Sequence, residues 1–379
     1  MVIIPSLYEG ISVYIYEHDE WPDFRWDRLR VADLLAEVRH RQGLLLGHMR
    51  ALGFAVREEA TLQTLTQDVL KSSEIEGERL DTEQVRSSIA RRLGIPVGDD
   101  SAVDRNVEGL VEMMLDATRH YARPLDEERL AGWHAALFPT GRSGLTRITI
   151  GTWRNEASDP MQVVSGAYGR QRVHYEALPA ARLPDEMSRF LRWFEEEPDT
   201  DPVIRAALAH FWFVTIHPFD DGNGRIARAL ADMALARAEQ SGQRFYSMSA
   251  QIQRERREYY AVLERCQKGP LDITPWIEWF LHCLERAIRA SATMLAVILR
   301  KARFWETHAG EPFNARQRKI INLLLDGFEG KLTSSKWATL GKCSQPTAQR
   351  DIADLVGRAI LARGSAGGRS TDYVLAGVG

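Results

Sequence analysis

Residues 217–228 read His217-Pro218-Phe219-Asp220-Asp221-Gly222-Asn223-Gly224-Arg225-Ile226-Ala227-Arg228, and the fold turns on how this stretch is read. Apolar runs bracket it, residues 206–216 before and 229–236 after. A polar, glycine-punctuated loop between two core-like helices is where a rigid scaffold carries chemistry. Gly222 and Gly224 let consecutive backbone N–H groups aim at one point, and a helix beginning at about Asn223 adds unpaired amides and a positive dipole end. Arg225 and Arg228, three apart, share a broad face at that end. Two guanidiniums with an amide nest suit a polyphosphate better than a single carboxylate. Asp221 supplies the hard oxygen that a Mg²⁺ bridging two phosphates takes. His217 on the rim suits removal of a proton from a hydroxyl near neutral pH. The implied reaction is attack of a hydroxyl on a nucleotide phosphate, with positioning and charge stabilisation as the main catalytic terms. The bland alternative is a helix N-terminus with two surface arginines, and twelve residues in this order weigh against it.

The 379 residues are 44% hydrophobic and 27% charged with net charge −3, an ordinary globular composition long enough for two or three domains. No apolar run is long enough for a membrane span, and the N-terminus lacks the features of a secretory leader, so the expectation is a cytoplasmic protein. Cys266, Cys283 and Cys343 are too scattered for a disulfide framework or a zinc site and read as reduced thiols.

Along the chain, Val2-Ile-Ile and Val13-Tyr-Ile-Tyr16 have the texture of a short strand, and the aromatics to Trp26 that of a cap on the core. Helical period follows over 27–53 and again from Val56 to a stop near Glu76-Gly77. There Ser72 and Glu76 are four apart and share a face, and an acid at a helix C-terminus opposes the macrodipole unless a cation receives it. Helices are expected over 82–93, from Ser101 to about Tyr121, and from the Asp126 N-cap to Phe138, with His134 a core histidine. Helical period disappears between 141 and 180. Val163-Val164 and Val173-His-Tyr175 flank a Gly-rich turn and read as a β-hairpin, the one plausible hairpin before the C-terminal region. Amphipathic helix returns over 183–196, and a helix from Asp272 to about Trp305 closes the unit.

Residues 217–228 resemble the signature of the Fic family, His-x-Phe-x-(Asp/Glu)-Gly-Asn-Gly-Arg-x-x-Arg, at every fixed position. The resemblance implies a mainly α fold, a Fic-type helical core over 101–305 with a β-hairpin flap at 162–175, and transfer of AMP from ATP to a protein Ser, Thr or Tyr hydroxyl. By that carry-over His217 is the general base and Phe219 a core anchor. Asp221 holds Mg²⁺; Gly222, Asn223, Gly224 and Arg225 cradle the α- and β-phosphates, with Arg225 in a catalytic role; Arg228 meets the γ-phosphate. Flap residues Val164, Ser165 and Gly166 align a target segment by strand addition.

Ser72-Ser-Glu-Ile-Glu76-Gly77 is similar to the family's inhibitory pattern (Ser/Thr)-x-x-x-Glu-(Gly/Asn). This implies an inhibitory helix at about 56–77 within an N-terminal helical extension, 1–100, in which Glu76 pairs with Arg228 in place of the γ-phosphate. In some relatives that glutamate also positions a water that removes AMP, so the reverse reaction belongs to the expectation. Residues 253–263 resemble a helix whose tyrosines, Tyr259 and Tyr260 here, border the adenine pocket, with core packing as the equal alternative. Gln267 stands where some relatives carry an asparagine.

Residues 311–379 read as a separate unit: three helices, then strand, glycine turn and strand, which looks like a winged helix, a helix-turn-helix variant. Ten Lys and Arg against six Asp and Glu are too small an excess to decide between DNA as a partner, through Thr347, Gln349 and Arg350, and a wing for protein contacts or a homodimer. Two other functions stay open: a DNA-binding regulator whose core senses nucleotide, and transfer of a different nucleotide. His217, Asp221 and Arg225 together favour the enzyme, since sensing needs no base.

Overall fold

Helical periodicity dominates the sequence, and the computed structural model of the protein is correspondingly helical. It describes residues 14–50, 52–96, 103–166, 172–196, 200–328, 330–364 and 371–376. The chain divides into two compact units, Met1–Ser291 and Ala292–Gly379. In the first lie α1 (Arg28–Arg50), α2 (Phe54–Ile75), α3 (Thr82–Leu93), α4 (Arg105–Arg119) and α5 (Glu127–Leu137). Two short hairpins follow, β1 (Arg142–Ser143) with β2 (Thr146–Arg147) and β3 (Gln162–Ser165) with β4 (Arg172–Glu176). Then come α6 (Leu183–Glu195), α7 (Pro202–Ile216), α8 (Asn223–Glu239), α9 (Met248–Arg254), α10 (Arg256–Gln267) and α11 (Thr274–Thr307), which runs through the unit boundary.

The first unit is built around α7. Asp201 accepts a hydrogen bond from the Val203 amide at 2.8 Å, and Pro202 occupies the first turn, where its missing N–H costs nothing. Every described residue of α7 from Ala206 to Ile216 is buried, so the helix is apolar all round and central. It packs most extensively on α8, which is almost as fully buried. An aromatic shell of Phe24, Phe190, Trp193, Phe211 and Trp212 closes one side.

Helix α2 joins α8 and α9 through a buried polar seam. Asp68 accepts from the Ser247 hydroxyl, Asp232 from Arg244 Nη2 at 2.8 Å, and Glu239 from Tyr246 and from Gln42 Nε2 at 2.6 Å. The single guanidinium of Arg244 thus serves the neighbourhood of three buried carboxylates. The Oδ2 atoms of Asp68 and Asp232 have no hydrogen-bond partner among the described residues. Burial, and then the charge of Asp68, push the Asp232 carboxyl well above the carboxylate range, and burial likewise raises Asp68.

The second unit has its own core. Helices α12 (Ala315–Leu325), α13 (Ser334–Leu340) and α14 (Gln345–Gly357) are followed by β5 (Leu361–Arg363) paired antiparallel with β6 (Tyr373–Leu375). Trp337, fully buried, packs with Ile320, Ile321, Leu325, Ile352 and Leu355. Asn314 and Gln317 form a reciprocal capping box on α12.

Four details depart from the sequence reading. Residues Ile15–Glu17 form a 3₁₀ turn, because Glu17 accepts from the Tyr14 amide at 2.8 Å and Tyr14, Tyr16 and Tyr175 pack ring to ring; the Val2-Ile-Ile stretch lies outside the described residues. The helix expected from Ser101 starts at Arg105, where the Asp104 side chain caps it. The β1–β2 hairpin makes the flap hairpin one of two before the C-terminal region; two-residue strands carry no alternation to read. The motif around Tyr259 begins on α9 and ends on α10, with Glu255 at the break. The acidic loop at 197–199, the flap tip at 167–171 and the wing turn at 365–370 lie outside the described residues.

The Asp232 shift gives a stability prediction with a defined sign. An acid whose folded pKa is raised favours the fold most below its unfolded value, and that contribution is lost as pH rises through the folded one. Asp232→Asn, which holds the neutral form at every pH, is expected to stabilise the protein by about 1 kcal/mol at pH 8. The advantage shrinks toward pH 5. Thermal unfolding measured across that range checks it; a difference independent of pH would reject the assignment.

Candidate functional site

Helix α7 ends at His217, which takes the left-handed conformation, φ 55° and ψ 58°. Few non-glycine residues do so, and the helix-ending bond from the His217 amide to the Phe213 carbonyl, 3.0 Å, holds it there. The ring turns back so that Nδ1 meets the Val214 carbonyl at 3.1 Å. A carbonyl only accepts, so Nδ1 carries the proton and the neutral ring presents an unprotonated Nε2. Burial lowers the His217 pKa below its ordinary value, the Val214 bond opposes the shift, and the Arg154 charge adds to it. The imidazole is therefore neutral at pH 7 and able to act as a base.

The loop that follows is held by side chains on both faces. Phe219 is fully buried, stacked on His134 with ring centroids 4.1 Å apart and also touching Trp153 and Phe213. His134 is the core histidine expected; burial lowers its pKa to about 4. Asn223 accepts from the Phe219 amide at 3.0 Å and donates to the Phe219 carbonyl at 2.8 Å. Its carboxamide closes the loop, so any part it takes in a phosphate cradle falls to its backbone. Asp220 accepts from the Thr149 amide, 2.8 Å, and the Ser158 hydroxyl, 2.6 Å, and so ties the loop to the segment before the flap. Asp221, partly exposed, accepts from the Gly222 amide through Oδ1 and from the Ser143 hydroxyl through Oδ2. Among the described residues no three His, Cys, Asp or Glu side chains cluster as a metal site.

The two glycines act differently from each other. Gly222 caps α8 at φ 81°, and an added Cβ would meet Phe138 at 2.9 Å, so both conformation and space require glycine. Gly224 is helical and needs no special φ. A Cβ there would lie 2.5 Å from Glu76 Oε1, so this glycine allows a carboxylate to approach the start of α8.

That carboxylate belongs to the end of α2. Gly77, at φ 89°, stops the helix, with the Glu78 amide donating back to the Ser73 carbonyl at 3.0 Å. The stop aims Glu76 at Arg228: Nη2 donates to Glu76 Oε1 at 2.7 Å and to the Ser72 carbonyl at 2.9 Å, while Nε donates to Ser72 Oγ at 3.0 Å. Arg228 is 2% exposed, and although burial is the largest influence and opposes its charge, Glu76, Tyr259 and Tyr260 together outweigh it and raise its pKa. Arg225, also buried, lies over the Phe138 ring and donates Nη1 to Glu78 Oε2 at 3.0 Å. Neither arginine is the surface residue of the bland reading. Arg225 Nε and Arg228 Nη1 are buried without an acceptor among the described residues.

The two tyrosines part company. Tyr259 is 1% exposed and bonds His210 at 2.9 Å against Trp276 and Trp279, the core packing that was one of the two alternatives, and it also neighbours Arg228. Tyr260 is 37% exposed near the α2 end, its hydroxyl 3.5 Å from the Ile75 carbonyl. Gln267 is buried and turns its amide to Thr215 at 3.3 Å. In the flap, Val164 and Val173 pair and are exposed, Ser165 bonds His174, and Gly166 follows at φ 104°. The sequence reading missed Glu78, Ser143, Asp220 and Arg154. Glu78 alone left a trace, as the third acid of the alternating run Glu74-x-Glu76-x-Glu78.

Residues 124–235 match the Fic/DOC family, and residues 14–95 match a domain of unknown function, DUF4172. Proteins named "Protein adenylyltransferase Fic" from Drosophila virilis and Drosophila melanogaster are each 27% identical over 274 and 273 residues, 69% of this chain. The chain spans about half the length of these curated relatives, 51% and 50%. In fold it is similar to a Fic family protein from Desulfovibrio desulfuricans, with TM-score 0.51 and 23% identity over 92% of this chain and 96% of that one. A Fic-domain signalling protein from Bacteroides thetaiotaomicron gives 0.50 and 21% over 70% and 96%. The motif at residues 217–228 lies inside the segment that matches the Fic/DOC family, and the helical fold is similar to that of Fic-family structures.

Proposed function

We propose that the protein transfers AMP from ATP to a Ser, Thr or Tyr hydroxyl of a protein, itself included, and is restrained by its own α2 turn. One observation carries this reading: at the start of α8 two buried guanidiniums each keep an N–H without an acceptor among the described residues, in the same stretch as an imidazole that turns Nδ1 to a backbone carbonyl. Buried cationic donors of that kind fit an oligophosphate, and a neutral imidazole fits proton removal from an acceptor. The adenylyltransferase names of the relatives support the choice of nucleotide.

In the proposed reaction the acceptor oxygen attacks the α-phosphorus of ATP. A new P–O bond forms, the bond to the β-phosphate breaks, pyrophosphate leaves, and the hydroxyl proton passes to His217 Nε2. Arg225, Arg228 and the amides at Gly222–Gly224 stabilise the phosphate charge. Asp221, a partly exposed carboxylate at the loop rim, is the residue that would hold Mg²⁺. When bound, Mg²⁺ neutralises phosphate charge and orients the leaving group. The flap is the edge on which the target segment lies, and its exposed Val164–Val173 pair suits strand addition.

Restraint follows from competition. Glu76 and Ser72 take up Arg228, and Glu78 takes up Arg225, so both guanidiniums are engaged by one turn of chain. Glu76 is the stronger half, since its carboxylate is 30% exposed against 50% for Glu78, and exposed pairs contribute little. The DUF4172 match at residues 14–95 covers this turn.

For residues 292–379 we propose a winged-helix DNA-binding unit, with α14 as the recognition helix. Its support is that Gln349 and Arg350 are exposed on α14 while Ala348 and Ile352 face the core. The unit gives the chain a second binding activity and does not replace the enzymatic one.

Three outcomes test these assignments. With α-labelled ATP, Glu76→Gly is expected to label itself at least tenfold faster than the parent, and adding His217→Ala to abolish labelling; equal label on both would end the proposal. Because burial lowers the His217 pKa, the acid limb of the Glu76→Gly rate is expected below the ordinary histidine value of 6.5, with a flat rate at pH 7–8. A limb centred at or above 6.5 would mean another base. For the second unit, affinity for duplex DNA should fall steeply between 50 and 200 mM salt, on the order of tenfold or more; absence of binding at the lower salt removes that reading.

A further inference from the structure

Arg154 lies just ahead of the flap and outside every motif. Its side chain is 0% exposed, and all three guanidinium nitrogens are engaged. Nε donates to the His217 carbonyl at 2.9 Å, Nη1 to Asp159 Oδ1 at 2.6 Å, and Nη2 to the Leu178 carbonyl. The Arg154 amide donates to the Pro218 carbonyl at 2.8 Å. Asp159 completes the set by accepting from the Ala180 amide at 2.9 Å.

The partners' places in the chain matter. Asp159 precedes β3 and Leu178 follows β4, so one guanidinium grips both legs of the hairpin. The same group holds the carbonyl of His217, the residue in the left-handed conformation. A second link runs in parallel: the Tyr175 hydroxyl, on β4, donates to the Thr215 carbonyl at 2.7 Å, two residues before His217. A planar fork with donors fixed in three directions can hold three acceptors in one geometry, and an ammonium on a flexible stem cannot. Burial costs the guanidinium part of its preference for the charged state, and Asp159 offsets this.

We propose that Arg154 is a positioning residue that fixes the flap, and with it the acceptor hydroxyl, relative to the His217 imidazole; the proposal rests on the AMP-transfer reading above. Arg154 does not touch the reacting atoms in this scheme. Its contribution is geometric: a displacement of about 1 Å between acceptor and base costs on the order of a hundredfold in rate. The nucleotide side of the site, at Gly222–Arg228, has its own anchors in Asn223 and α8 and does not depend on this fork.

The test is made in the full chain carrying Glu76→Gly, with Arg154→Lys and, separately, Tyr175→Phe. Three quantities are read: affinity for ATP, the rate at which α-labelled AMP appears on the protein, and amide hydrogen exchange over residues 162–176 and 217–220. Arg154→Lys is expected to leave ATP affinity within about twofold, to slow transfer at least tenfold, and to raise exchange in flap and loop together. Tyr175→Phe, which removes one hydroxyl, is expected to show the same pattern with a smaller fall, and it carries the test if Arg154→Lys does not fold. Unchanged transfer in a folded variant overturns the proposal. So does ATP affinity lost in proportion to transfer, which would make Arg154 part of the phosphate site, or exchange rising in one segment alone. If the Glu76→Gly parent transfers no AMP, the enzymatic reading fails and takes the acceptor with it, whereas the exchange data still decide whether Arg154 couples flap and loop.

Discussion

Two guanidiniums buried at the head of one apolar helix pair are the constraint on which this structure depends. Arg225 and Arg228 are 5% and 2% exposed, and a cation out of water without a partner costs several kcal/mol. The fold therefore has to supply anions at the start of α8 whenever no ligand does. It does so from a helix that is remote in sequence, where Gly77 turns the chain so that Glu76 and Glu78 project toward the two arginines. On the proposed reading, the carboxylates that complete the resting fold are also what ATP must displace. Restraint is then a consequence of having buried a phosphate site, and Gly224 records it, since its missing side chain leaves room for Glu76.

The same economy governs the loop between α7 and α8. His217 ends α7 in a conformation that most residues avoid, and this both reverses the chain and seats Nδ1 against the Val214 carbonyl. The seat selects the tautomer, and burial keeps the ring neutral. Phe219, pressed on His134, and Asn223, bridging the Phe219 amide and carbonyl, then keep the loop from relaxing. The imidazole is placed by backbone geometry and core packing, with no carboxylate aimed at its ring among the described hydrogen bonds.

What the sequence disclosed, and what it withheld, follows from the range of each interaction. The α7–loop–α8 frame was legible because its periodicity, glycines and charges are local; the Ser72–Glu76 face was legible because i,i+4 spacing is a helix property. The helices and the flap pair followed for the same reason, and the three-helix-and-hairpin order of residues 311–379 could be read from caps and turns. Arg154 was not legible, since a lone arginine between Trp153 and Asn155 says nothing of carbonyls at positions 178, 217 and 218. Tyr259 and Tyr260 look alike in sequence, and only packing sends one to His210 and the other to the surface. Gly224 was understood for the wrong reason: its φ is helical, and its need is space.

The seam between α2 and α8 bears on how the proposed restraint could be lifted. It has two levels, one helical turn apart on each helix: Ser72 and Glu76 meet Arg228 at the outer level, and Asp68 and Asp232 share the surroundings of Arg244 at the inner one. The outer level is partly solvated and ends at Gly77. The inner level is fully buried and tied to α9 through Ser247, and burial raises the pKa of both its aspartates. Freeing Arg228 accordingly does not require α2 to leave its place. Rotation of the Glu76 side chain and unwinding of the last turn are enough, because the bonds that dock the helix lie a turn further in. A trigger acting on residues 72–78 therefore needs to overcome a few hydrogen bonds and one partly exposed ion pair, whereas one that pulled the whole helix away would also have to break the inner seam.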